Sequence, residues 1–262
     1  STSSVYKIPP PGLLNEGSER TFTPNTYGGN KALAEDLLLE QYLKNEWPVT
    51  IFRPQGVWGP YQAPQAQYVF SRMLNCVPIL MSTYSNIRVN LLYVKDFVNA
   101  FLLAMNNSVS HGSVYGVAGD DITSQLQFID FCGRVCSRKP ELKYITHSHY
   151  SNLIMGMSWS EWDLVTDNRK IKKELGLSFT KIENAIRETL QWMQGSPNYY
   201  SYKPFRAEPY LLMNRPIPKS VEVYWKLKDF TKWAIMLLVL IPNKVKKYLK
   251  TFNLLQRLKE NG

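Results

Sequence analysis

The chain has 262 residues, of which 44% are hydrophobic and 20% are charged, so it can bury the core of an ordinary globular protein. Its three cysteines, at positions 76, 132 and 136, exclude a disulfide-based fold and indicate a reducing compartment. The net charge of +10 is uneven, because residues 201–262 hold 13 Lys and Arg against 4 Asp and Glu, whereas the first 200 residues are nearly balanced.

The predicted elements alternate between strands and helices. This alternation predicts an α/β architecture with a mainly parallel sheet. Leu33, Leu37 and Leu38 form one apolar stripe of the first long helix. In chain order the elements are a strand end at 1–6, a helix at 28–45, a strand at 49–52, a helix at 65–75, strands at 79–81 and 89–94, a helix around 97–105, a strand at 114–117, a helix capped by Thr123, a strand at 142–145, and helices at 167–175 and 181–193.

Tyr27 and Lys31 lie four residues apart on the first predicted helix, 25 residues after Thr2. Residues at this spacing share one helix face, so the ammonium group can lie close to the phenol. A nearby positive charge favours the phenolate and lowers a tyrosine pKa from its usual value of about 10. Such a tyrosine can exchange protons with a carbinol near neutral pH. A surface pair without function has the same spacing, so the pair alone is a weak signal.

Five segments follow one another along the chain: Ser1-Thr2-Ser3-Ser4-Val5-Tyr6 with Tyr27-x-x-x-Lys31, Arg53-Pro54-Gln55-Gly56-Val57-Trp58-Gly59-Pro60, Asn90-Leu91-Leu92-Tyr93-Val94-Lys95-Asp96, Ser113-Val114-Tyr115-Gly116-Val117, and Asp167-Asn168 through Glu174-Leu175-Gly176 to Thr189-Leu190-Gln191-Trp192. In this order they resemble the extended short-chain dehydrogenases, and more narrowly the NAD-dependent epimerase/dehydratase family that acts on nucleotide-linked sugars. The resemblance covers residues 1 to about 195.

The resemblance implies roles for individual residues. Tyr27 becomes the general acid and base, Lys31 holds the nicotinamide ribose, and Thr2 hydrogen-bonds the substrate. NAD or NADP is the implied cofactor, with Pro54 and Val57 lining the nicotinamide. On the substrate side, Ser3 joins Thr2, and Arg88 is placed like a pyrophosphate-binding arginine, although a plain surface role for Arg88 is equally compatible with its position.

Two serines, Ser3 and Ser4, stand where the sugar dehydratases of the family place an Asp-Glu pair. Dehydration needs an acid that donates to a leaving hydroxide, and serine is a poor one. We therefore expect epimerisation or simple oxidoreduction of a nucleotide sugar. Two alternatives remain open, namely a hydroxysteroid or lipid-alcohol dehydrogenase of the same superfamily, and a catalytically inactive truncated remnant.

The glycine-rich turn that takes the cofactor pyrophosphate in this family is missing from the sequence. The nearest glycines, Gly116 and Gly119, lack a third glycine and precede Asp120-Asp121, which would repel phosphate. We expect a Rossmann-like doubly wound parallel sheet whose N-terminal strands are missing, either from a fragment or from a truncated gene product. A small C-terminal substrate-binding subdomain and a basic helical tail complete the expected fold.

The domain prediction has three parts: residues 1–198 as the partial NAD(P)-binding and substrate-binding region, 199–220 as a linker, and 221–262 as a basic amphipathic tail. Aromatic residues beside lysines in 221–259 predict attachment to an anionic membrane surface, with docking to a partner protein as the alternative. No nucleic-acid-binding motif accompanies the charge. The chain is expected to be cytoplasmic, at most peripheral to a membrane, and able to form a homodimer.

Overall fold

The computed structural model describes residues 1–62, 68–83, 86–105, 107–145, 162–196, 208–213 and 215–218. The chain divides into two compact units, Ser1–Lys203 and Pro204–Gly262, and the second unit contributes one described helix. The helices are Tyr27–Asn45 (α1), Tyr68–Asn75 (α2), Val94–Ala104 (α3), Gln125–Cys136 (α4), Arg169–Leu175 (α5), Ile182–Gln194 (α6) and Glu208–Leu212 (α7), with short 3-10 turns at Ser3–Val5 and Ser108–Ser110.

The strands pair mainly in parallel. They are Thr50–Pro54 (β1), Val57–Trp58 (β2), Ile79–Ser82 (β3), Arg88–Val89 (β4), Leu92–Tyr93 (β5), Ser113–Val117 (β6), Thr123–Ser124 (β7) and Leu142–Ile145 (β8). The pairs β1–β6, β2–β5 and β3–β8 are parallel, and β4–β7 is antiparallel. Strands of a parallel pair need a crossover connection, which the intervening helices supply. The predicted α/β architecture with mainly parallel pairing is confirmed, and the described strands form four two-stranded sheets.

The main core lies between β1, β6 and the helices α3 and α5. Phe52 of β1 stands opposite Tyr115 of β6 in the strand register, and their rings stack with centroids 6.0 Å apart. A second, aromatic cluster joins Trp58, Phe70 and Phe128, with Phe128 edge-on to Trp58 at 5.2 Å. The buried members of the main core are Phe52, Leu92, Ala100, Ala104, Tyr115, Val117, Ile171, Leu175 and Leu177.

Several local predictions are corrected by the structure. The apolar stripe predicted for α1 does not pack into the core, because Leu33, Leu37 and Leu38 are exposed. The cap of α4 is Ser124 rather than Thr123, since the Ser124 hydroxyl accepts from the Gln127 amide and the Gln127 side chain accepts from the Ser124 amide. Residues 1–6 form a 3-10 turn over Ser3–Val5 instead of a strand end.

The predicted basic tail at 221–262 and most of the predicted linker at 199–220 lie outside the described residues. Within the described part of the chain, no helix combines the length and the apolar character needed to cross a membrane.

Candidate functional site

Tyr27 is the first residue of α1, and Lys31 follows one turn later on the same side of the helix. The Lys31 ammonium nitrogen lies 5.9 Å from the centroid of the Tyr27 ring, at the outer limit for a cation–π contact. Tyr27 is 65% exposed, and its hydroxyl has no hydrogen-bond partner among the described residues. The pair therefore forms as the spacing predicts, and the phenol is accessible to a ligand.

The start of α1 is fixed by its cap and by two glycines. Thr26 caps the helix, because its hydroxyl accepts from the Gly29 amide at 3.1 Å. A Cβ atom on Gly28 would lie 2.0 Å from the carbonyl oxygen of Ser4, and one on Gly29 would lie 2.1 Å from that of Thr23. Only glycine allows so close an approach, so Gly28 lets the first turn of α1 contact the turn that follows Thr2, and Gly29 lets it contact Thr23.

Thr2 caps the 3-10 turn Ser3–Val5. Its hydroxyl accepts from the Ser4 amide at 3.3 Å and donates to the Ser4 hydroxyl at 3.3 Å. Both bonds are long, so a better acceptor can replace the contact to Ser4 at small cost. Ser3 is half-buried in the same turn, and its carbonyl accepts from the Tyr6 amide. Thr2, Ser3 and Tyr27 thus belong to two segments that touch through Gly28.

Pro54 and Val57 flank a sharp turn between β1 and β2. Gly56 has a φ of +48°, and a Cβ there would lie 2.7 Å from the Leu91 side chain. Gln55, which the sequence analysis did not select, is 5% exposed in this turn, and its side-chain oxygen has no hydrogen-bond partner among the described residues. A buried acceptor without a partner costs free energy, and a ligand with an amide or hydroxyl donor would satisfy it. The signal in the sequence was a polar residue between Pro54 and a glycine.

A cleft of about 630 Å³, lined by polar and apolar groups in nearly equal measure, lies beside the Thr2 turn and the start of α1. Ser4, Thr26 and Gly28 line it, whereas Thr2 and Tyr27 are only their neighbours in the sequence. Lys7 and Arg20 line it too, but both are paired, Lys7 with Glu19 at 2.8 Å and Arg20 with acidic residues of α1. The Thr26 hydroxyl at this wall already donates to the Thr23 carbonyl and accepts from the Gly29 amide, so a ligand hydroxyl would have to compete with both contacts.

Arg88 lies on β4, and its described partner is acidic. Its Nε and Nη2 donate to Asp163 Oδ2 at 2.8 and 2.7 Å, and its amide donates to Asp163 Oδ1 at 2.8 Å. These bonds, first the one from the Arg88 amide, hold the pKa of Asp163 below its usual range. Arg88 is 64% exposed, so a pyrophosphate can reach it only in competition with Asp163. The structure does not bring Arg88 into contact with the Tyr27 pair.

Asp96 is a buried structural residue of α3. Its carboxylate accepts from the Thr180 hydroxyl at 2.7 Å and the Thr180 amide at 2.9 Å. Burial raises the pKa of Asp96 from its ordinary value, although these hydrogen bonds counteract the increase. Asp96 thus lies in the first turn of α3 without being its N-cap, which is Tyr93.

The glycines Gly116 and Gly119 serve packing in the structure. A Cβ on Gly116 would lie 2.8 Å from the Thr166 methyl group, and one on Gly119 would lie 2.6 Å from the Leu91 carbonyl oxygen. Asp120, which follows, is bound by Lys172 at 2.9 Å. This segment therefore offers no cradle for a pyrophosphate. Within the described ranges, no group of His, Cys, Asp and Glu side chains is arranged to hold a metal ion.

Residues 1–118 match the model of the NAD dependent epimerase/dehydratase family. A dTDP-D-glucose 4,6-dehydratase of Dictyostelium discoideum is 31% identical over 105 residues, which are 39% of this chain and 24% of that protein.

Two solved structures show the fold. The dTDP-glucose 4,6-dehydratase of Bacillus anthracis, in complex with NAD, has a TM-score of 0.63 and 19% identity, over 76% of this chain and 62% of that one. The UDP-glucuronic acid 4-epimerase of Bacillus cereus, in complex with NAD, has a TM-score of 0.60 and 20% identity, over 74% and 60%. These neighbours confirm the predicted Rossmann-like fold, and the chain spans less than two thirds of the length of each relative.

Proposed function

We infer that this chain, whose residues 1–118 match the model of the NAD dependent epimerase/dehydratase family, carries the catalytic Thr/Tyr/Lys site of an NAD(P)-dependent epimerase or reductase acting on a nucleotide-linked sugar. The main support for this inference is that the Tyr27–Lys31 pair is exposed and that Gly28 brings its helix into close contact with the turn capped by Thr2. A tyrosine, a lysine and a hydroxyl held on two touching segments are the groups needed to move a proton on and off a sugar oxygen.

In this proposal Tyr27 exchanges the proton of the reacting hydroxyl, and the Thr2 hydroxyl orients the same oxygen. Lys31 supplies positive charge beside the phenol and holds the ribose of the cofactor. Pro54 and Val57 would flank the nicotinamide ring. The cofactor, when bound, takes and returns a hydride at the sugar carbon.

The relatives and neighbours named above, a dTDP-D-glucose 4,6-dehydratase and a UDP-glucuronic acid 4-epimerase, support a nucleotide-linked sugar over a steroid or lipid alcohol as the substrate class. Ser3 and Ser4 favour epimerisation or reduction over loss of water, since neither is an acid suited to a leaving hydroxide. Mass spectrometry of the product separates these outcomes, because an epimer keeps the mass of the substrate and dehydration lowers it by one water.

The decisive variant is Tyr27→Phe, tested in a version of the protein that carries a glycine-rich cofactor turn ahead of Ser1. Turnover of UDP- and dTDP-linked sugars with NAD should fall at least ~10²-fold, the usual contribution of a positioned acid or base. Tyr42→Phe on the same helix is the matched control and should leave turnover unchanged. Full activity of Tyr27→Phe would show that Tyr27 and Lys31 form a surface pair without a catalytic role.

The 262-residue chain by itself should bind NADH weakly or not at all, because its sequence lacks the glycine-rich turn that holds the pyrophosphate. Titration of NADH fluorescence measures this directly. Micromolar affinity of the chain alone would contradict the expectation and would mean that the described residues bind the pyrophosphate in another way.

A further inference from the structure

One acidic side chain of α1 is buried, and two arginines surround it. Glu35 is 1% exposed, and its carboxylate accepts from Arg53 through Nη2 at 2.7 Å and Nε at 3.0 Å. Arg20 adds a third bond at 3.1 Å. Burial alone would raise the pKa of Glu35, but the hydrogen bonds from Arg53, from the Ser1 amino group and from Arg20 outweigh it and hold the pKa below its ordinary value.

Arg53 extends this contact to a third segment of the chain. Its Nη1 donates to the carbonyl oxygen of Glu16 at 3.0 Å and to the Tyr6 hydroxyl at 3.4 Å, and the guanidinium lies 5.1 Å from the centre of the Tyr6 ring. Tyr6 follows the turn capped by Thr2, and Pro54 comes directly after Arg53 on β1. One ion pair thus joins the Thr2 segment, the Tyr27 helix and the strand that ends at Pro54.

The rest of α1 has little apolar anchoring. Its buried residues are Gly28, Gly29, Ala32 and Glu35. Burial of apolar surface is the usual force that fixes a helix, and here Ala32 is the one fully buried apolar side chain, with Leu39 and Tyr42 half-buried. The orientation of the helix therefore depends on the close glycine contacts and on Glu35.

We propose that Glu35 and Arg53 are positioning residues, which set where Tyr27 and Lys31 stand relative to Thr2 and Pro54. A buried ion pair is often no more stabilising than an apolar pair of similar volume, so stability alone does not account for it. A bidentate guanidinium–carboxylate contact also fixes the relative orientation of the elements that it joins. The catalytic part of this proposal rests on the proposed function. The structural part, that the ion pair fixes the orientation of α1, does not depend on it.

The test compares the full-length wild-type chain with Glu35→Gln, Arg53→Lys and the apolar double variant Glu35→Met/Arg53→Met. The double variant leaves no buried charge unpaired, so its thermal midpoint should fall only by the cost of the lost hydrogen bonds to the Tyr6 hydroxyl and the Glu16 carbonyl. Amide hydrogen exchange across 28–35 should nevertheless become about tenfold faster or more, while exchange in α4 stays unchanged. Arg53→Lys keeps the charge but cannot reach all of the acceptors, and it should give an intermediate rate.

The matched control is Glu40→Gln, which removes the exposed Glu40–Lys44 pair of the same helix and should change nothing. A double variant with wild-type exchange across 28–35 would overturn the proposal, and so would one that cannot fold, since the pair would then serve folding as such.

In the version with a glycine-rich turn, the folded double variant should lose at least ~10-fold in kcat with little change in KM. Unchanged kcat would also overturn the proposal. Full activity of Tyr27→Phe beside a loosened α1 would instead refute the proposed function and leave the helix-orienting role standing.

Discussion

The helices α1 and α4 are held to the protein by different means. Helix α4 buries Phe128, Ile129 and Cys132 in apolar surroundings. Helix α1, which carries the Tyr27–Lys31 pair, buries two glycines, one alanine and the carboxylate of Glu35. Apolar packing is non-directional, whereas close glycine contacts and ion pairs demand one geometry. Close glycine contacts and an ion pair therefore orient α1, whereas buried apolar area holds α4.

The greatest loss in the free energy of unfolding is expected from a substitution in α4. Phe128 is fully buried between Trp58 and Phe70, so Phe128→Ala should lower the free energy of unfolding by about 3–5 kcal/mol. Leu37→Ala on α1 removes a side chain that is 62% exposed and should change stability by no more than about 0.5 kcal/mol. Urea denaturation measures both. Equal losses would show that α1 is also held by apolar area.

The next effect concerns the contact between α1 and the Thr2 turn. In Gly28→Ala the new Cβ would lie 2.0 Å from the Ser4 carbonyl oxygen, so the helix must move away from the turn. We expect a loss of about 1–3 kcal/mol in the free energy of unfolding, partly offset by the better helix propensity of alanine. Gly12→Ala is the control, since a Cβ atom on Gly12 would have no neighbouring atom within 4 Å. A more stable Gly28→Ala protein would refute the close seating of Tyr27.

The two helix caps allow a like-for-like comparison. Thr26→Ala and Ser124→Ala each remove one hydroxyl that accepts from a first-turn amide, and each should cost about 1 kcal/mol of stability. Only Thr26→Ala should also reduce turnover in a version with a glycine-rich turn, because Tyr27 is the residue next to this cap. Equal turnover in the two variants would show that the start of α1 need not be rigid.

The sequence predicts the scaffold better than it predicts the anchoring of the site. Alternating strands and helices were found because their apolar runs are local, and the bounds of α1 and β8 agree to within a residue. The Tyr27–Lys31 pair was found because four-residue spacing fixes a helix face. Glu35 was not selected, since its partner Arg53 is 18 positions away and a buried ion pair has no periodic signature. Likewise, the partner of Arg88 lies 75 positions away.

The smallest effect, a dependence of stability on pH, should distinguish the two helices most directly. The folded-state pKa of Glu35 is held below its ordinary value, so its ionised form stabilises the fold above the unfolded pKa of about 4.3, and this contribution is lost as pH falls through the folded pKa. The stability gap between wild type and Glu35→Gln should therefore be constant from neutral pH to about pH 5 and shrink below about pH 4. The stability difference between wild type and Phe128→Ala involves no titrating group and should not change in this way with pH.

Urea midpoints measured from pH 7 to pH 3 give both stability differences, with Glu40→Gln as the exposed control. If the stability difference between wild type and Glu35→Gln stayed constant down to pH 3, the charge of Glu35 would not hold α1. The difference between α1 and α4 would then depend on the glycine contacts alone.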